Sequence, residues 1–209
     1  MPVQQLTSSL QTLTGTFTAG NTLVLAVNTF GPGGGSITSI TTNHSETFTL
    51  VDNTNNGGTN FRGSAAYLLN CVGGSTTITI NTTTNSSWQI ALYEYLASDA
   101  VSFDVHAVRG STSGTNPTSL VSGTTTAANE TVVGWLAETG TSTPTAGSGF
   151  GHLLASSGTN FAALEDKSVT STGTQQALFT NGTTGTYVCG VLTFKKSVAV
   201  TSFNYVINF

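Results

Sequence analysis

Few side chains in this sequence are equipped for chemistry: nine carboxylates, five Lys or Arg and three His among 209 residues. The tightest constellation is Asp104 and His106 in "SFDVHAV", two residues apart and so on one face of a strand. With Asp99 or Glu94 close by in sequence, the pair could ligate a metal or act as acid and base. No second His lies near in sequence, and the stretch reads better as an edge or connecting strand showing its polar face. "DNTNNG" (52–57) resembles the first half of a calcium loop, with oxygen donors at alternate positions and a Gly for the turn. The twelfth position, where a bidentate Glu belongs, is Gly63, so an Asn/Gly hairpin turn is the expectation. Glu165, Asp166 and Lys167 in "ALEDKS", with Glu138 on another strand, could supply the two carboxylates of a glycosidase. They read instead as solvated turn charges. "GSGFGH" (147–152) precedes a strand and not a helix, which argues against a phosphate cradle. Neither a Ser–His–Asp pattern nor a G-x-S-x-G elbow occurs. No residue is therefore assigned as catalytic, metal-ligating or cofactor-binding, and the chain is expected to be non-enzymatic.

Aromatic residues and sequons invite functional readings too. Trp88, Tyr93, Tyr95, Trp135, Phe150 and Phe161 could stack on sugars, but most stand in apolar strands and are expected in the core. Five N-x-S/T sequons begin at Asn43, Asn81, Asn85, Asn129 and Asn181, as expected by chance in a chain so rich in Asn and Thr. Cys71 and Cys189 are read as small buried hydrophobes and not as a disulfide.

The elements that must carry these residues follow from composition and pattern. Charged residues make up 7% of the chain, against about 25% usually. Hydrophobic residues make up 37%, including 11 Phe, which is enough for a core and excludes disorder. The polar surface must therefore be hydroxyls and amides, with Thr on exposed strand faces and Gly and Asn in turns. A net charge of −4 with five basic residues argues against nucleic acid as a partner. No apolar run is long enough for a membrane helix. The opening "MPVQQLTSSLQTLTG" has no basic or apolar region of a secretory signal.

Period-2 alternation predicts strands at 22–30, 46–52, 75–81, 88–96, 101–108, 130–138, 176–180 and 187–194, separated by Gly/Asn/Thr clusters. No segment reads as a helix. "TLVLAV" and "YVCGVLTF" are apolar throughout and should be covered on both faces. The chain also repeats itself. "LTGTFTAGN" (13–21) matches "VSGTTTAAN" (121–129) at five of nine positions, "GTNF" recurs at 58–61 and 158–161, and 81–95 aligns with 181–194, at offsets of 108, 100 and 100. The expected fold is an all-β antiparallel sandwich of jelly-roll type over 1–196. Its two pseudo-repeated halves are about 10–97 and 119–196, joined by "ASDAVSFDVHAVRGSTSGTNPT".

The order of "AGNTLVLAV", "ITSITTNHSETFTLV", "AAYLLNCVGGSTTITI", "IALYEYLASDAVSFDVHA", "SGTTTAANETVVGWLAE" and "TAGSGFGHLL" resembles Gly/Thr-rich β-sandwich modules of the concanavalin-like jelly-roll type. Such modules occur in phage virion proteins and bacterial extracellular proteins. The resemblance covers about 10–196 and implies a structural or adhesive role on a virion surface or outside a cell.

The stretch 197–209, "SVAVTSFNYVINF", has no counterpart in the first half and departs from that pattern. Val198 and Val200, then Phe203, Tyr205, Ile207 and Phe209, alternate with smaller or polar residues and give an extra C-terminal strand a face to bury. Left bare, such a strand is an aggregation hazard. It can fold back along its own sandwich or cross to a neighbour's sheet edge, and the crossing is the favoured expectation. The functional expectation is a structural protein of a phage or similar particle, a capsid decoration (cement) or tail-associated protein on the virion surface. Its partners would be further copies of itself, as a homo-oligomer, and other virion proteins such as a major capsid protein. The alternative is a carbohydrate-binding or adhesive extracellular module with surface glycans as partners.

Overall fold

The computed structural model describes residues 1–31, 35–55, 61–84 and 87–197. Its strands are β1 (Pro2–Ser8), β2 (Thr12–Phe17), β3 (Thr22–Phe30), β4 (Ile37–Thr42), β5 (Thr49–Asn55), β6 (Phe61–Leu68), β7 (Gly74–Thr82) and β8 (Ser87–Tyr95) in the first part. The second part holds β9 (Ser102–Gly114), β10 (Glu130–Thr139), β11 (Thr145–Ala146), β12 (His152–Ala155), β13 (Asn160–Val169), β14 (Phe179–Thr180) and β15 (Gly185–Lys195). All the pairings are antiparallel, and no helix occurs among the described residues.

Two five-stranded sheets form the body, in the orders β1-β8-β3-β6-β5 and β9-β15-β10-β13-β12. Written in that direction the two orders correspond strand for strand. The repeated segments lead into β3 and β10 and into β6 and β13, and fall on β8 and β15, and β9 stands where β1 stands. The stretch that reads as a joining segment in the sequence is thus the opening strand of the second unit, and the equivalent stretches are 2–95 and 102–195. β2, β7 and β4 cover the outer face of the first sheet. Their counterparts over the second sheet are looser. The β11–β14 pair lies beside a run in which the amides of Ser119, Ser122 and Thr125 donate to the carbonyls of Ala177, Gln175 and Gly173.

This layering explains the uninterrupted apolar strands. Val24 and Ala26 of β3 face the second sheet, whereas Leu23, Leu25 and Val27 face the β2-β7-β4 cover. On β15, Val188, Leu192 and Phe194 face the first sheet, and Tyr187, Cys189 and Val191 face the other cover. Both sides of a middle layer are core, so the alternation that marks a half-buried strand disappears.

Trp135 lies at the centre between the sheets, fully buried. Gly63 and Gly190 make room for it: a Cβ on Gly190 would fall 2.1 Å from the indole nitrogen, and one on Gly63 would lie 2.7 Å from Val188 and 3.1 Å from the Trp135 ring. Polar pins cross the same interface. The Asn28 amide donates to the carbonyls of Glu138 (2.9 Å) and Phe161 (3.0 Å), and the Tyr93 hydroxyl to that of Leu164 (2.9 Å).

Candidate functional site

The end of the sandwich where the described chain finishes collects several features. The Ser197 amide donates to the Ser98 carbonyl and the Val101 amide to that of Lys195, both at 2.8 Å. Pro2 pairs with Tyr95, which brings β1 to the same end. Asp99 joins these segments through the Met1 amine (3.5 Å) and Lys196 Nζ (3.6 Å). Around it Met1 (64%), Val3 (51%), Leu96 (45%) and Val101 (45%) expose apolar surface. The expected interface residues Val198, Val200, Phe203, Tyr205, Ile207 and Phe209 begin immediately beyond and lie outside the described residues.

Beside this end a recess of about 320 Å³ is lined by Met1, Gly149, Gly151, His152, Asp166, Lys167 and Ser168. His152 opens β12 and stands directly opposite Asp166 of β13 in the ladder. Its Nδ1 is 2.5 Å from Asp166 Oδ1, and the Asp166 side chain is buried. A buried carboxylate on Nδ1 fixes the ring and leaves Nε2 to take or give a proton. Burial, followed by the Asp166 charge, pushes the Tyr95 hydroxyl behind it well up. The Ser168 hydroxyl accepts a bond from Lys196 Nζ at 2.8 Å and makes none to the imidazole. The group is therefore a His–Asp dyad beside a recess, with the Lys167 amine, pushed down by burial, on the same lining.

The opposite flank holds a second pair. His106 Nδ1 on β9 lies 3.3 Å from Asp52 Oδ1 on β5, so this pair ties one large sheet to the other. Burial pushes the Asp52 carboxyl up, and the neighbouring His106 charge opposes it. The 100-residue offset of the repeat places His152 on Asp52. Each of these equivalent edge strands, β5 and β12, thus carries one member of a His–Asp pair. Sequence reasoning missed both pairings, although the offset could have flagged the equivalence.

Asp104 and His106 do not act together. Asp104 accepts from the Thr126 amide and hydroxyl, both at 2.6 Å, and pairs with Lys195. Asp52 to Asn55 of the calcium-like stretch are in β5 and not in a turn, and 56–60 lie outside the described residues. No group of three or more His, Cys, Asp or Glu among the described residues could hold a metal.

"ALEDKS" is a clear correction. These residues lie inside β13, and Glu165 and Asp166 are buried, not turn charges in solvent. Leu164 and Asp166 face the inter-sheet core, so Glu165 points the other way, under the outer cover. Its two oxygens accept the amides of Gly147 (2.8 Å) and Leu178 (2.9 Å). Glu138 accepts the Asn181 side-chain amide. Burial raises both carboxyls to about 7, against the bonds they accept. Glu94 plays the same part in the first unit, taking the Thr18 amide and the Asn21 side chain at 2.8 Å each. Glu46 takes the Val72 amide and Glu130 that of Ala127. All nine carboxylates in the chain are thereby tied to a partner within it.

Tyr93, Tyr95, Trp135 and Phe161 are buried, and Trp88 and Phe150 are half-buried. Lys167 Nζ sits 4.7 Å over the Phe150 ring. Cys71 and Cys189 are buried and unpaired. Of the sequon asparagines, Asn181 is buried and Asn85 lies outside the described residues. No protein-family model matches this chain, and no curated protein or solved structure matches it.

Proposed function

We propose that this chain is a non-enzymatic structural protein of a phage or similar particle, a capsid decoration or tail-associated module on the virion surface. It bridges neighbouring subunits, copies of itself among them, through residues 198–209. The observation that carries this reading is the end of the sandwich. An alternating apolar segment with Val198, Val200, Phe203, Tyr205, Ile207 and Phe209 starts at Ser197, amid the exposed Met1, Val3, Leu96 and Val101. A strand with one apolar face gains most by adding to another sheet, where main-chain bonds and alternate side-chain pockets act together. The use made of the carboxylates agrees with a load-bearing role, since each fastens a loop or an edge strand. The Gly/Thr-rich jelly-roll modules that the sequence resembles point the same way.

Light scattering tests the reading on three proteins: the full chain, a chain ending at Ser197, and a full chain carrying Phe203→Asp and Tyr205→Asp. The expected result is an oligomer for the first and folded monomers for the other two. A monomeric full chain would overturn the bridging role and turn attention to glycan binding.

A further inference from the structure

Three adjacent strands of the second large sheet place a Lys, an Asp and a Glu together under the 124–129 loop. Lys195 on β15 stands directly opposite Glu130 on β10. On the other side of β15, Asp104 of β9 reaches Lys195, with Nζ 3.5 Å from Oδ1. The Asp104 side chain is 5% exposed and Glu130 is fully buried, whereas Lys195, at 38%, closes the group on its solvent side. Glu130 Oε1 accepts the Ala127 amide at 3.2 Å, and the Thr193 side chain lies beside the same carboxyl. The Glu130 carboxyl lies within hydrogen-bonding reach of the Asp104 carboxyl. Two carboxyl groups in that contact hold one proton between them.

The proton belongs to Glu130. Burial and then the neighbouring Asp104 push the Glu130 carboxyl up. Burial also acts to raise Asp104, but the two Thr126 bonds, with the Glu130 contact and the Lys195 charge, outweigh it and the net direction is down. A carboxylate, an amine in contact with it and a buried carboxylic acid touching the same carboxylate are the components of a condensation.

We propose that Lys195 and Asp104 join through an intramolecular amide, with Glu130 moving the protons. The Lys195 ammonium passes one proton to the Asp104 carboxyl oxygen that it touches, and its nitrogen attacks Asp104 Cγ. Glu130 protonates the departing carboxyl oxygen, which leaves as water, and takes the remaining nitrogen proton in return. In sum an ammonium and a carboxylate become one amide and one water, with no oxidant, reductant or co-reactant. The Thr126 amide and hydroxyl hold the carboxyl against Lys195 and donate to the Asp104 oxygens, where negative charge develops in the tetrahedral intermediate. Holding both partners in one site replaces a bimolecular encounter, which is worth several orders of magnitude in rate.

The product would stitch the edge strand β9 to β15 one residue before Lys196. On the bridging function proposed above, a pull on 198–209 would pass through this amide into the edge strand and would not peel β15 away. The cross-link itself does not depend on that function.

The test is the mass of the denatured full chain. It is expected to be one water lighter than a Lys195→Arg variant after allowing for the substitution. Trypsin should leave 63–109 joined to 168–196, because Lys195 no longer offers a cleavage site. Glu130→Gln, checked as folded by circular dichroism, should retain the water. A wild-type chain at full mass overturns the proposal. A water lost equally from the Lys195→Arg variant also overturns it, since the loss then lies elsewhere. A folded Glu130→Gln variant that condenses as fast as wild type removes the role given to Glu130.

Discussion

Raising the pH from 5 to 8 should destabilise this protein, and the two carboxyls under the cover of the second sheet set the size of the effect. Glu138 and Glu165 titrate at about 7 in the fold, against 4.5 for an ordinary Glu, with burial as the chief cause in both. Between those values the folded chain binds protons that the unfolded chain has already lost, so unfolding free energy falls as pH rises through the window. At about 1.4 kcal/mol per pH unit the gap is worth on the order of 3 kcal/mol for each carboxyl. Asp52 and Glu130, also pushed up by burial, act in the same direction. Asp104, held down while its carboxyl is free and silent once it is an amide, contributes nothing within the window. Urea unfolding at half-unit steps should show a decline of several kcal/mol from pH 5 to 7.5 and a plateau above it. Glu138→Gln and Glu165→Gln should flatten the curve. Glu165→Gln should also start lower, by about 1–3 kcal/mol, because one of its two amide donors would face an NH₂ group. A flat or rising wild-type curve would refute the argument. So would a double Gln variant with the wild-type slope.

Other expectations concern the centre of the sandwich. Gly190→Ala puts a methyl 2.1 Å from the Trp135 nitrogen and should cost about 1–3 kcal/mol, read as a drop in melting temperature. Trp135→Phe should relieve part of that cost, and additive effects in the double variant would show that the two sites are not in contact. Asn28→Ala leaves the buried carbonyls of Glu138 and Phe161 without its amide and should cost about 1–3 kcal/mol for each, measured by urea unfolding. An exposed-site loss of a few tenths of a kcal/mol would place Asn28 outside the inter-sheet core.

The chain by itself determined its all-β class and the strands with clear alternation or apolar runs, but not β1, β2, β4, β6, β12 or β13. Thr22–Phe30 was legible to the residue because "TLVLAVNTF" has β-branched and apolar residues and sharp turn signals on both sides. β6, "FRGSAAYL", was not legible. Its Gly and Ala are small because the opposite sheet and Trp135 lie against them, a tertiary fact with no local signature. The charges of β13 misled for the same reason. "EDKS" looks solvated unless the loops that Glu165 ties down are known. Side-chain alternation is a property of neighbouring residues, so sequence reports it. The pairings His152–Asp166, His106–Asp52 and Lys195–Asp104 span 14 to 91 positions. Only strand order, register and the bulges of β9 bring them within bonding distance. The repeat hinted at that order, but packing two sheets face to face decided which polar groups meet and which carboxyls lose their water.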